Sequence, residues 1–424
     1  MAGLHLGNMA LFTGSTVVGE LDLTALELAL RELVAGHALL RSRVVTEDDG
    51  TQWFHRDDAW RPALRVAAGG TAAYLKLLNT PVDWDGGLIQ AHVLRDGESS
   101  RVVLVSHHGM SDGRALFAVL GELWQRYTAR VEGRPMPIAD DDRELPDPID
   151  TRLRRLIDDD ETQELIDEIG TYVAATPAEM IPYPLPSDGA EGDPLGRYAV
   201  GSLAWDADDT AAIARVARTE NVSVTGLLAG ASLVAARPLI APAEGELPLL
   251  CGHAIDLRSM VPGLSERIMF SGSAGAGTPA LVGTDTAVAE VGRVIQQSLA
   301  AAVEDRFPAR LLLATLRVHD EETLAILRSQ TPTVLFSNIG RVPAHSVPEG
   351  LRIVGDTIDS PVPGMPPKLS CFTIGGRLTV AFKYDTTTHS RALVEELRQS
   401  FAESMAKAVA AAGEQLRSNG IDLA

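Results

Sequence analysis

Two adjacent histidines stand in the segment SHHGMSDG, residues 106–113, and an aspartate and a glycine follow them. A neutral histidine titrates near neutral pH, so His108 could take a proton from a hydroxyl or amine and later return it to a leaving group. Such work requires one tautomer and one ring orientation. Asp112, in the same turn, could orient the imidazole or pair with a distant arginine and so lock the loop. Gly113 permits a close backbone approach that a side chain would obstruct.

The hydrophobic pattern places this segment between a strand and a helix. Apolar runs predict strands over 89–96 and 101–106. From Leu116 to Tyr127, apolar residues recur at steps of three and four, which predicts one buried face of an amphipathic helix. Because both flanking elements are anchored by packing, a turn between them is a suitable place to hold catalytic groups.

Two other interpretations of the segment stay open at this point. His107, His108 and Asp112 are ligand types that bind zinc or iron. However, adjacent residues of an extended segment point to opposite sides, and no other histidine-rich spacing supplies the missing ligands, so we expect no metal. The second alternative is a turn with a purely structural role.

The length of 424 residues exceeds what one hydrophobic core usually holds, so we expect two lobes. The segment 181–197 is rich in proline, glycine and aspartate, which predicts a crossover linker. The division is then an N-terminal lobe over 1–180 and a C-terminal lobe over 198–424. Each lobe mixes helices and strands, which predicts an α/β (α+β) fold.

Residues that favour helix caps and turns predict the positions of several elements of the second lobe. A helix is predicted to begin near Asp206 and a buried helix at Ser223 or Thr225, since these residue types cap helix N-termini. Gly375 and Gly376 separate two strand-like runs, which predicts a β-hairpin.

Composition and charge narrow the class of protein. Hydrophobic residues make up 45% and charged residues 22%, which is typical of a globular protein with a sizeable core. The net charge of −20 argues against non-specific binding to nucleic acid or to an anionic membrane. The two cysteines show no paired spacing, and no signal peptide is visible, so we expect a cytoplasmic protein. The most apolar window, 226–242, contains an arginine and two prolines, so no membrane span is expected.

The pattern His-His-x-x-x-Asp-Gly resembles the active-site signature of the condensation-domain and BAHD-like acyltransferase superfamily. Three further segments are similar to family segments in the same order: HALLR at 37–41, AIDLR at 254–258 and FSNIGRV at 336–342. The chain lacks a D-F-G-W-G segment and an attached carrier domain. It is therefore most similar to the stand-alone polyketide-associated acyltransferases of the phthiocerol dimycocerosate transferase type.

The resemblance implies a fold and a role for the residues of the motif. Two chloramphenicol-acetyltransferase-like lobes would meet in a V, with the active site in a channel between them. His108 would be the catalytic base and His107 less critical. Asp112 would shape the loop through an ion pair, with Arg258 as the first choice of partner and Arg41 as the second.

The resemblance also implies a reaction. An acyl group would move from a coenzyme A or acyl-carrier-protein thioester to a hydroxyl, giving an ester in polyketide, lipid or other secondary metabolism, and no further cofactor would be needed. Donors to the oxyanion would be a backbone N–H near Gly113 and the side chains of Ser337 or Asn338. His253 and His389 are expected to be structural.

Alternative functions stay open from the sequence. They are an amide-forming condensation enzyme, a thioester hydrolase that uses water as acceptor, and a non-catalytic protein that binds a carrier protein or a hydrophobic ligand. Arg152, Arg154 and Arg155, in an acidic segment of helical pattern over 139–168, are a possible docking patch for a carrier protein. A monomer would suffice for any of these functions.

Overall fold

Strands and helices alternate along most of the chain. The structure, a computed structural model, describes residues 10–136, 144–262, 264, 270–318, 321, 323 and 331–418. The strands found there are β1 (Ala10–Val18), β2 (Ser42–Thr46), β3 (Gln52–Arg56), β4 (Leu64–Ala68), β5 (Ile89–Asp96), β6 (Ser99–His107), β7 (Tyr198–Trp205), β8 (Leu247–Asp256), β9 (Ser273–Val282), β10 (Val334–Val342), β11 (Arg352–Asp359), β12 (Lys368–Ile374) and β13 (Arg377–Asp385). The helices are α1 (Leu23–Gly36), α2 (Gly70–Leu78), α3 (Gly113–Val131), α4 (Ile149–Leu153), α5 (Asp159–Ala175), α6 (Ala207–Thr219), α7 (Val224–Ala236), α8 (Val288–Glu304), α9 (Phe307–Arg317) and α10 (Arg391–Ser418).

The strands form two mixed sheets and a small hairpin, as the mixed α/β prediction requires. The first sheet has the strand order β11-β1-β6-β5-β4, the second has the order β7-β13-β12-β10-β8-β9, and β2 pairs with β3. Strand β11 belongs to the first sheet although it follows residue 350, since it pairs antiparallel with β1. The division of the chain at 181–197 and the V-shaped arrangement of two lobes stay predictions.

Most of the elements that surround the motif agree with the sequence prediction. Strands β5 and β6 and helix α3 are found where they were predicted. Asp206 caps α6, and Ser223, the first of the two candidates, caps α7. Strands β12 and β13 pair across Gly375 and Gly376, both of which have positive φ. The sequence analysis had not predicted β9 and β11. Of the acidic segment 139–168, residues 139–143 lie outside the described residues.

Helix α3 contacts both sheets. Its buried face packs on the first sheet and on α1, with Leu116, Leu120 and Trp124 almost fully buried. On the other side, the ring of Phe117 meets that of Phe372 of β12 at a centroid distance of 4.9 Å. The motif at the N-terminus of α3 therefore lies where the two sheets approach each other.

Helix α7 lies in the core of the second sheet, against α8. A Cβ atom at Gly230 would lie 2.6 Å from the backbone oxygen of Val288 and 2.7 Å from the backbone nitrogen of Gly292. These contacts are with backbone, which cannot move aside as the end of a side chain can. Within the described residues, no single helix has the length and apolar content of a membrane span.

We expect Gly230→Ala to lower the free energy of unfolding by about 1–3 kcal/mol, because the added methyl group overpacks the contact between α7 and α8. Chemical denaturation measures this change. Gly275→Ala is the matched control, since a Cβ atom there meets no atom within 4 Å. Equal stability of the two variants would contradict the proposed close packing.

Candidate active site

The turn between β6 and α3 is held by hydrogen bonds within the motif itself. The hydroxyls of Ser106 and Ser111 lie 2.6 Å apart and are both buried. The backbone N–H of Met110 donates to the carbonyl oxygen of His107 at 3.0 Å, and that of Gly109 donates to the imidazole Nδ1 of His107 at 3.1 Å. These hydrogen bonds therefore hold the segment in one turn conformation.

One hydrogen bond fixes the tautomer of His108. Its Nδ1 lies 3.0 Å from the carbonyl oxygen of Ser111. A carbonyl oxygen can only accept, so Nδ1 carries the proton and the opposite nitrogen, Nε2, keeps a lone pair. Burial lowers the pKa of His108, and the nearby Lys368 ammonium lowers it further, although two backbone carbonyl contacts and Asp112 act in the opposite direction. The neutral imidazole is thus the favoured form.

His107 lies in a different environment. Its ring is buried and packs edge-on against the indole of Trp84 at a centroid distance of 5.1 Å. Burial, with a smaller contribution from His108, lowers the pKa of His107 to about 4. In the part of the chain that the structure describes, no group of three histidine, cysteine or acidic side chains is placed to hold a metal ion.

Asp112 makes three buried hydrogen bonds. As the N-cap of α3, its Oδ1 accepts from the backbone N–H of Ala115 at 2.9 Å. Its Oδ2 accepts from Nη1 of Arg258 at 2.7 Å and from the backbone N–H of Gly272 at 2.9 Å. The predicted ion pair with the first-choice partner is therefore present, and it joins the start of α3 to the segment after β8.

Arg258 is held on several sides. It also contacts the carboxylate of Asp256 at 3.0 Å, donates to the carbonyl oxygen of Phe270 and lies over the Phe270 ring. Burial opposes its charge, but Asp112 and Asp256 more than offset this effect and raise the pKa of the guanidinium. Arg41, the second-choice partner, pairs with Asp58 instead.

The cleft in front of the motif has a volume of about 610 Å³ and is bordered by both sheets and by α3. The predicted site residues that line it are His108, Asp112, Gly113, Arg258, Ser337 and Asn338. His107 is not among the residues lining this cleft. The structure thus brings together six of the seven residues that the sequence analysis singled out.

Two of these residues have clear local roles in packing and hydrogen bonding. A Cβ atom at Gly113 would come within 2.9 Å of the side chain of Ile358. Glycine therefore allows the start of α3 to pack closely against β11 at the cleft. The side-chain amide of Asn338 donates to the hydroxyl of Thr225 at 2.8 Å and accepts from the backbone N–H of Gly340 at 2.9 Å. Asn338 therefore ties β10 to the first turn of α7.

The sequence analysis missed Lys368, Ser370 and Lys383, which also line the cleft. The sequence alone could have predicted that Lys368 and Lys383 lie opposite each other. A two-residue turn at Gly375 and Gly376 fixes the register of the hairpin, and this register places Lys368 opposite Lys383. The two histidines expected to be structural lie elsewhere: His253 contacts the hydroxyl of Thr278, and His389 contacts a backbone carbonyl.

The chain is similar in sequence to known proteins. Residues 194–383 match the family described as phthiocerol/phthiodiolone dimycocerosyl transferase C-terminus. A phthiocerol/phthiodiolone dimycocerosyl transferase of Mycobacterium sp. (strain JLS) is 23% identical over 355 residues, which is 81% of each chain.

Three solved structures share the fold over nearly the whole chain. Polyketide synthase associated protein 5 from Mycobacterium tuberculosis is 18% identical, with a TM-score of 0.67 and 94% of each chain covered. The first condensation domain of the CDA synthetase is 16% identical, with a TM-score of 0.68, and covers 96% of this chain and 93% of its own. The trichothecene 15-O-acetyltransferase TRI3 from Fusarium sporotrichioides is 14% identical, with a TM-score of 0.71 and coverages of 95% and 92%.

The chain is similar in sequence to phthiocerol/phthiodiolone dimycocerosyl transferases, and it shares its fold with condensation domains and acyltransferases. The match to one named family covers the C-terminal part, whereas the fold match extends over both sheets. The histidine motif lies outside the family match, so its role is argued from its geometry.

We expect Asp112→Asn to destabilise the protein by about 1.5–3 kcal/mol, because Arg258 loses a buried charge-assisted contact while Asp256 still offsets part of its charge. Chemical denaturation measures the loss. The control is Arg155→Met, which removes an exposed ion pair with Asp147 and should leave stability close to wild type. A variant of Asp112 as stable as the control would show that the buried pair does not hold the motif.

Proposed function

We propose that the protein transfers an acyl group from a thioester to a hydroxyl in the cleft, with His108 as general base. The observation that carries this proposal is the His108 imidazole, which lines the cleft, has its Nδ1 proton directed at Ser111 and leaves Nε2 for a substrate. That the protein is an acyltransferase agrees with its transferase relatives and with the acyltransferase structures that share its fold.

One imidazole can carry out both proton transfers of the reaction. Nε2 of His108 takes the proton of the acceptor hydroxyl as its oxygen attacks the thioester carbonyl carbon, which forms a tetrahedral oxyanion. When the carbon–sulfur bond breaks, the imidazolium returns the proton to the departing thiolate. Neither cysteine is suited to be a nucleophile, because burial raises the pKa of Cys251 to about 12 and also raises that of Cys371.

Donors for the oxyanion are available beside the imidazole. Gly113 is the first residue of α3, where helical backbone N–H groups have no partner within the helix. Ser337 of β10 also lines the cleft. Asn338 contributes less directly, since its amide is occupied by Thr225 and Gly340. We assign stabilisation of the oxyanion to Gly113 and Ser337.

The thioester donor is coenzyme A or an acyl carrier protein, and no further cofactor takes part in the reaction as proposed. Arg154 and Arg155 of the suggested docking patch are exposed but pair with Asp159 and Asp147. Exposed pairs of this kind are weak, so the two arginines can exchange partners when a carrier protein docks. A monomer is sufficient for this reaction, and the two buried free cysteines suit a reducing cytoplasm.

We expect His108→Ala to lower the transfer rate by about 100- to 10,000-fold, because proton transfer by a positioned base contributes this much. Product mass spectrometry with a panel of acyl thioesters and alcohols gives the rate. His55→Ala, which changes an exposed histidine of β3, is the matched control.

Near-wild-type transfer by a folded His108→Ala variant would refute the role of this base. Release of free acid at the same rate with and without alcohol would identify a thioester hydrolase instead. Binding of acyl thioesters without turnover would identify a binding protein.

The pH dependence follows from the lowered pKa of His108. Its neutral form is the base, so kcat/KM with uncharged substrates should fall only below the ordinary histidine pKa of about 6.5. Lys368→Met removes a positive charge that disfavours the imidazolium, so the acidic limb should move to higher pH. A wild-type limb above about 6.5, or a limb that moves to lower pH in the variant, would contradict this assignment.

A further inference from the structure

A second cavity meets the active-site cleft at two lysines and a serine. About 360 Å³ of space not filled by atoms, part of it open solvent, lies there between the end of α2 and the strands β7, β12 and β13. Three residues line both this cavity and the cleft of His108: Ser360, Lys368 and Lys383. A substrate that extends from His108 into the second cavity must therefore pass these side chains.

The two lysines face each other inside the protein. Lys368 and Lys383 are direct partners in the antiparallel pairing of β12 with β13, where like charges repel. Lys383 is buried, and its Nζ donates to the hydroxyl of Ser370 at 2.8 Å. The chain has only four lysines among its 37 basic residues, so half of them lie at this junction. A packing role for these positions would not require charge.

One carboxylate faces the ammonium group of Lys383. Oδ1 of Asp359 lies 4.0 Å from Nζ of Lys383, and its other oxygen accepts from the hydroxyl of Tyr74. Lys368 makes no ion pair within the part of the chain that the structure describes. Oδ1 of Asp359 and the hydroxyl of Ser360 are buried and lack a hydrogen-bond partner among the described residues. The junction thus has two lysines beside one carboxylate and leaves a buried acceptor and a buried donor unsatisfied, which is unfavourable without a ligand.

We propose that Lys368 and Lys383, together with the hydroxyl of Ser360, bind a carboxylate carried by one of the two substrates. This subsite rests on the proposed function, because it lies on the path that leads from His108. A coenzyme A phosphate is a poorer occupant, since it lies a full pantetheine arm from the thioester, whereas Lys368 lines the same cleft as His108. The substrate is then a hydroxy acid as acceptor or a dicarboxylic half-thioester as donor.

Matched substrates test the subsite. Donors are N-acetylcysteamine thioesters, which carry no phosphate, so any effect of the lysines comes from the carboxylate. One arm compares ω-hydroxycarboxylic acids with their methyl esters as acceptors over a series of chain lengths. The other arm compares dicarboxylic half-thioesters with their methyl esters as donors. The readout is the ratio of kcat/KM for acid to kcat/KM for ester.

In wild type, the ratio should exceed one in one of the two arms, which identifies the substrate that carries the acid. Lys368→Met and Lys383→Met should each lower this ratio by about tenfold or more, the effect expected for the loss of a hydrogen bond to a charged group. Turnover of the methyl esters shows that each variant is folded. Lys407→Met, on the exposed side of α10, is the matched control and should keep the wild-type ratio.

A ratio of one or less in both arms, or a ratio that neither lysine variant changes, would overturn the subsite. Thermal unfolding gives a readout that does not depend on turnover: the acids, but not the methyl esters, should raise the unfolding temperature of wild type and not that of Lys368→Met. Absence of this shift also counts against the subsite. A rise in unfolding temperature with the acids but without acyl transfer would support the subsite and refute the proposed function. Acyl transfer that depends on His108 but shows no preference for the acids would support the proposed function and refute the subsite.

Discussion

The buried ion pair between Asp112 and Arg258 is the constraint on which the site depends. Asp112 caps α3, whereas Arg258 follows β8, so their contact joins an element of the first sheet to the second. A pair buried this deeply adds little net stability over an apolar contact, but removal of one partner lowers the free energy of unfolding. Its effect is therefore mainly positional: it fixes where the N-terminus of α3 lies relative to the second sheet.

The orientation of His108 follows from this constraint. Its Nδ1 proton is directed at the carbonyl oxygen of Ser111, which immediately precedes Asp112. When the carboxylate of Asp112 is held, the carbonyl of its neighbour is held as well, and the imidazole keeps one tautomer. Asp112 thus acts on His108 through the backbone rather than by direct contact, unlike the aspartate of a serine-protease triad. This path accounts for three residues between histidine and aspartate in the motif.

The sequence predicted the elements near the motif because their signals are local. The strand over 101–106 and the helix that contains Leu116 and Tyr127 follow from hydrophobic periodicity, whereas the capping role of Asp112 was not predicted. The pairing of β11 with β1 could not be predicted in this way, since it joins segments more than 300 residues apart and no local pattern encodes the partner of a strand. The Arg258 contact was predicted from family resemblance, whereas the bonds that occupy the amide of Asn338 depend on packing of β10 against α7.

The choice of lysine rather than arginine at the junction is itself informative. Arginine stays charged in any environment and forms planar, bidentate contacts, whereas lysine loses its proton readily when buried. Burial and the facing Lys368 lower the pKa of Lys383 to about 7, although Asp359 acts in the opposite direction. Without a bound carboxylate, Lys383 can therefore release a proton, which reduces the repulsion between the two lysines. An incoming carboxylate restores that proton, so positive charge is present where a substrate needs it and is reduced when no substrate is bound.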